Sequence, residues 1–314
     1  MGGGLSMRSN KGTRPQRGPT DSYACTRFQP EPPSEETADT LEEKRYRMEN
    51  MYKQEGLNGG QRAEVMHLME TTYSLQRTHI NQMPAPSIED LRMKWPFLFT
   101  QRGIYAHFEL LTDIKILQAL ELSMEECGRI IVEYFRSKSN QRDVQAIVSQ
   151  GLDGDLTLHV VQLLMAHFGE SPDGLMIHAD VSATAADIER SFTLPASPLL
   201  ILLGNEPSTN SQWMISIEGH VVCEGIQSTF VSGLAALFAV FYIFNLQYPD
   251  TASQTLEFLQ RRFAGINPER GSKATYGKVI SKRTGKVVQK RAESVNPHVA
   301  TLLKNLLDYE WDFI

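Results

Sequence analysis

The chain has 314 residues, 41% hydrophobic and 9% aromatic, with 31 Lys/Arg against 37 Asp/Glu for a net charge of −6. That content excludes a wholly disordered chain and suffices for one large domain or two smaller ones. Three cysteines, Cys25, Cys127 and Cys223, stand far apart with no CxxC pair, which excludes a disulfide framework and a cysteine zinc site. The cysteine usage, the absence of any Asn-x-Ser/Thr sequon and the lack of an apolar stretch in the first 20 residues predict a cytoplasmic or nuclear address.

Residues 1–36, with Gly2–Gly4 and five prolines, predict a disordered tail. Its start, Met1-Gly2-Gly3-Gly4-Leu5-Ser6, fits a myristoylation pattern at Gly2, and Arg8, Lys11, Arg14 and Arg17 supply the basic cluster that usually seconds such an anchor. Residues 37–60 are charged and mixed in sign, a linker or at most a solvated helix. From Gln61 the apolar spacing turns helical, through Val65, Leu68, Met69 and Leu75, until Pro84 and Pro86. Ser87 reads as an N-cap, Lys94-Trp95-Pro96-Phe97-Leu98-Phe99 follows, and helices are predicted at about 101–111, 114–120, 124–137 (capped by Ser123) and 155–168. Residues 61–168 thus form a predicted helical subdomain.

After Gly169 the grammar changes to an α/β subdomain, 169–266. Leu199–Leu203 reads as a buried strand, and Trp213–Ile217, Glu218-Gly219 and His220–Cys223 as a hairpin. Residues 229–246 are uncharged, but the unbroken apolar run Leu234–Phe244 is too short for a bilayer and reads as a buried core helix. A helix follows from Ser253 to about Phe263, then a basic hairpin segment (267–295), and a carboxy-terminal helix with an aromatic tail (296–314). The predicted class is α+β, mostly helical.

Charge is polarised along the chain. Arg261 to Arg291 holds ten Lys/Arg and one acid, leaving 21 basic and 36 acidic residues elsewhere, so a segment of +9 sits in a body of −15. Within it, Gly277-Lys278-Val279-Ile280-Ser281-Lys282-Arg283 repeats eight residues later as Gly285-Lys286-Val287-Val288-Gln289-Lys290-Arg291. Two β-favouring runs about a glycine turn predict a hairpin. Alternation places Lys278 and Lys282 on one face of the first strand, and Lys286 and Lys290 on one face of the second. Lys278, Lys282, Arg283, Lys286, Lys290 and Arg291 are therefore the candidate anion-binding residues.

From Trp213 onward, Ile217–Val222, Leu237-Phe238, Tyr242, Asn245-Leu246, Tyr248-Pro249 and Leu256–Gln260 resemble the carboxy-terminal region of the fish family named sterile alpha motif domain-containing protein three-like. Lys94–Phe99 is similar to that family's tryptophan-proline-leucine-phenylalanine segment, so the resemblance covers roughly 90–265. It rests on core-type residues and implies a fold rather than an activity. No sterile alpha motif domain is read in the chain, so that module's role is not carried over.

Signatures of chemistry fail on spacing. No Gly-Lys-Ser/Thr opens a helix, and the Gly-Lys pairs at 277–278 and 285–286 are followed by Val. His159 and His167 stand two helical turns apart, roughly 12 Å, too far to share one ion. There is no GxSxG elbow and no HExxH pair. These readings call no catalytic residue, metal or cofactor. They predict a non-enzymatic interaction or scaffold protein whose basic segment, 261–291, meets an acidic protein surface or nucleic acid, with self-association as a further option. The alternatives are a sequence-nonspecific nucleic-acid binder, and a peripheral membrane protein held by an acylated amino terminus.

Overall fold

The structure, a computed structural model, describes residues 28–151, 154–204, 212–225, 229–268, 275–280, 287–291 and 295–311. Its first helix, α1 (Ala38–Glu55), opens on a Thr37 capping box. It is not merely solvated: Leu41, Arg45, Met48 and Met51, three or four residues apart, form a buried stripe. Glu42 and Glu49 of the same helix pair with Arg45 at 2.7 and 3.1 Å, which lets the arginine stem enter the core.

The end of the tail predicted as disordered also packs. Gln29 Nε2 donates to Ser74 O and to Thr78 Oγ1, each at 3.0 Å, because Gln29 can satisfy helix carbonyls and hydroxyls that face it. Gly2 and the rest of residues 1–27 lie outside the described residues.

The helix predicted from Gln61 is two, α2 (Ala63–Thr71) and α3 (Tyr73–Ile80). Between them the Thr72 hydroxyl donates back to Leu68 O at 2.7 Å, a local bond that competes with helix continuation. Then come α4 (Ile88–Lys94), capped by Ser87 and Asp90, and α5 (Gln101–Thr112). The two helices predicted across 114–137 are one, α6 (Ile116–Lys138). Ser123 lies inside it and donates to Phe263 O at 3.1 Å instead of capping. The buried stripe Ile116, Leu120, Met124, Cys127, Ile131, Phe135 runs unbroken through that position. A short α7 (Arg142–Ser149), with Val144 its only buried residue, escaped the periodicity. It leads to α8 (Leu156–Phe168), capped by Asp155 as read from the sequence.

The four-stranded sheet comprises β1 (Met176–Ala179), β2 (Leu199–Leu203), β3 (Trp213–Ile217) and β4 (His220–Glu224), in that order. β1 and β2 are parallel, joined through α9 (Ala185–Ser191), and the other pairs are antiparallel. β1 and α9 carry too few apolar residues to have been read beforehand. Both sheet faces are covered, which explains the unbroken apolar β2. Leu200 and Leu202 enter the main core, while Ile201 and Leu203 pack with Ile188 of α9. Glu218 and Gly219 make the β3–β4 turn at φ 56° and 83°, the left-handed pair such turns require.

Beyond Thr229, α10 (Phe230–Ile243) is buried on nearly every side. A Cβ at Gly233 would come within 2.9 Å of both Leu200 and Trp213, so the glycine lets α10 approach the sheet closely. Trp213 Nε1 donates to Ser232 Oγ at 2.9 Å across the same contact. No helix among the described residues is long and apolar enough to cross a membrane. The chain closes with α11 (Ser253–Phe258), a π turn (Leu259–Phe263), a two-stranded hairpin of β5 (Thr275–Ile280) and β6 (Val287–Arg291), and α12 (Pro297–Trp311). Tyr309, read as part of an aromatic tail, continues α12 and meets Tyr134 edge-on at 5.4 Å. One apolar cluster runs from Met48 in α1 to Leu306 in α12, so the helical and α/β regions share a core.

Candidate anion-binding arm

Within the segment predicted as a basic hairpin, β5 and β6 pair antiparallel, and the residues flanking it are held by one helical turn. α11 starts on a remote cap: Glu170 accepts from Gln254 N (2.7 Å), Thr255 N (3.0 Å) and Thr255 Oγ1 (2.6 Å). Burial pushes the Glu170 carboxyl up despite those bonds. One turn later Glu257 is fully buried. Its Oε1 accepts from Arg261 Nε and Nη2 at 3.2 and 3.1 Å, and its Oε2 accepts from Asn296 N at 3.3 Å. Asn296 Oδ1 in turn accepts from His298 N at 2.8 Å, opening α12.

The other foot is fixed by Gln260. Ile266 N donates to Gln260 O at 2.9 Å, and Gln260 Nε2 donates back to Ile266 O at 3.0 Å. Tyr248 donates its hydroxyl proton to Gln260 Oε1 at 3.1 Å, which fixes the amide's orientation. The π turn places Glu257, Gln260 and Arg261 together, and such turns recur at functional positions. The arm thus leaves the body at Asn267 and re-enters at Asn296, both ends tied to residues 257–261.

This anchoring divides the ten cations. Arg261 pairs with Glu257, and Arg262 with Glu310 at 2.9 Å, so two of the ten are neutralised within the fold. Lys278, Lys290 and Arg291 lie on the strands, whereas Lys282, Arg283 and Lys286 fall outside the described residues. The ladder pairs Thr275 with Arg291, Tyr276 with Lys290, Lys278 with Gln289 and Ile280 with Val287, leaving Gly277 unpaired as a bulge. The ladder therefore shifts by one residue at the bulge, which the eight-residue repeat does not foretell. The repeat is a property of the chain, whereas register depends on where the bulge falls.

Other candidate chemistry does not converge. His159 and His167 remain on one helix, and no group of three or more His, Cys, Asp or Glu able to hold a metal occurs among the described residues. The Cys127 thiol is pushed up to about 11 by burial, and burial raises Cys223 as well, so neither is a thiolate at neutral pH. What sequence reasoning missed is the anchor set, Glu257, Gln260 and Asn296. Its only signal was polar residues inside an apolar helical pattern.

Comparison with known proteins adds one finding. Residues 41–100, spanning most of α1 through the Trp95-Pro96 turn, match the family model described as sterile alpha motif domain-containing protein 3, helical domain. The chain resembles that family. The matched stretch overlaps the Lys94–Phe99 segment at its end. No curated protein and no solved structure matches.

Proposed function

We propose that this is a non-enzymatic interaction protein whose basic arm, residues 267–295, contacts an acidic protein surface. The observation that carries the reading is the double anchoring of the arm. Arg261 and Arg262 are consumed at its base, while the eight cations beyond them stand against two acids, Glu269 and Glu293. A clamped base lowers the ordering entropy lost when such an arm binds. An acidic protein is favoured over single-stranded nucleic acid because stacking platforms are scarce. Phe263 is buried against Phe258, leaving Tyr276 as the aromatic residue of the segment.

The test is binding of the full chain to polyglutamate, duplex DNA, RNA and phosphatidylserine vesicles across a salt series. The expected result is salt-sensitive binding to polyglutamate that weakens at least tenfold in K278E/K282E/K286E/K290E. Duplex binding that exceeds polyglutamate binding, with a salt slope of about −0.9 per phosphate contact, would transfer the reading to nucleic acid. Unchanged polyglutamate binding in the variant sinks it.

A further inference from the structure

A cleft of about 440 Å³ opens between the α2–α3 junction and the second half of α5. Met66 and Met69 give it a soft apolar lining, and Glu70, Glu109 and Asp113 bring three carboxylates to it. Lys115 Nζ stands 3.9 Å from Glu109 and offsets one of these charges in part. The back wall is buried and polar. His107 Nδ1–H donates to Gln76 Oε1 at 2.9 Å, and His107 Nε2 accepts from Arg77 Nη1 at 3.5 Å. Gln76 Nε2 donates to Met69 O at 2.7 Å, which fixes the amide and hence the imidazole tautomer. Burial and the Arg77 charge hold His107 far below its ordinary range, so the imidazole brings no positive charge to the cleft. Arg77 itself is fully buried and donates to Ile243 O at 2.7 Å.

Arg77 also marks where the amino-terminal segment enters. Its Nε donates to Phe28 O at 3.4 Å, so residue 28 is one guanidinium away from the wall of the cleft. Upstream stand Leu5, Met7, Arg8, Lys11, Arg14 and Arg17, apolar residues followed by four cations before the first acid, Asp21. We infer that this cleft is the docking surface for the chain's own segment 5–17, with Leu5 and Met7 against the methionines and cations against Glu70, Glu109 and Asp113. Reach does not limit it: the 20 residues from Arg8 to Phe28 have a coil dimension of roughly 25 Å, and about 66 Å extended. A tether of that length holds the segment at an effective concentration on the order of millimolar, so a weak contact is populated without a foreign ligand. The inference is independent of the basic arm.

The full-length chain tests it by limited trypsin cleavage at Arg8, Lys11 and Arg17. In E70Q/E109Q/D113N, cleavage at these sites is expected to be at least threefold faster than in the parent. A control triple on α6, E121Q/E125Q/E126Q, is expected to leave it unchanged. Equal rates in the cleft variant and the parent overturn the inference, as does equal acceleration in both triples. Should the cleft variant unfold, carbodiimide coupling of the parent decides. Lys11 joined to Glu70, Glu109 or Asp113 within one chain supports docking. No such bridge, arm lysines joined there instead, or bridges only between isotopically distinct copies overturns it.

Discussion

α10 and the basic arm are the two most compositionally extreme parts of the chain, and they obey opposite constraints. α10 carries no charge and is buried on nearly every side, packed against α5, α6, α8 and two strands. The arm carries eight cations beyond its base and belongs to a separate two-stranded sheet. Between them lies residues 257–263, where charge enters the core only with a partner: buried Arg261 sits on buried Glu257. The sequence concentrates its basic residues beyond that anchor, while the charge that enters the core there is paired.

The comparison breaks most visibly if charge is forced into α10. Leu237→Asp places a carboxylate where the side chain is fully buried, and loss of the folded state is expected, a cost above about 4 kcal/mol. Soluble yield and urea denaturation check this, and a stable, cooperatively melting variant would refute the packing described for α10.

Next in size is the anchor. Glu257→Gln leaves the Arg261 charge buried without its counter-charge and is expected to cost about 3 kcal/mol in urea unfolding. The double variant E257L/R261M should recover much of that stability while loosening the feet of the arm. Equal destabilisation by both would mean that the pair matters for shape rather than charge.

A third effect is set by pH. Burial, with the Lys94 charge added, lowers His79 to about 4, and Trp95 Nε1 donates to its Nδ1 at 3.1 Å. The folded value lies below the unfolded value of about 6.5, so the unfolded chain takes up the proton first. Stability is therefore full above pH 6.5 and falls as pH drops toward 4. A loss of about 1–2 kcal/mol between pH 7 and 5 is expected, with a flatter profile in H79Q. Identical profiles would assign the pH dependence elsewhere.

The smallest effect on stability is expected where the largest effect on binding lies. K278E/K282E/K286E/K290E should shift the unfolding free energy by less than about 0.5 kcal/mol, because surface charges away from packed features contribute little. Unfolding of this variant would show instead that the arm pairs with the protein's own acids.

Elements with strong local signals were legible in the sequence: the α8 cap at Asp155, the Ser87 cap, the β3–β4 turn, the buried β2 and the uncharged α10. Each depends on side chains close in sequence, where spacing and turn chemistry decide the outcome. The existence of the arm was legible for the same reason. Less was visible of α1, whose four-residue buried stripe hides among charges, and nothing of α7, β1 or α9.

Tertiary structure alone decided which partners Arg261 and Arg262 meet within the fold. Glu257 meets Asn296 across 39 residues, and Arg262 meets Glu310 across 48, distances in sequence that no local pattern encodes. It also decided the register of the arm, since the ladder shifts by one residue at the Gly277 bulge. Composition by itself determined that charge would be segregated from the core. Which charges are neutralised was left to packing, because a buried ion forces a partner to be present in space rather than nearby in the chain.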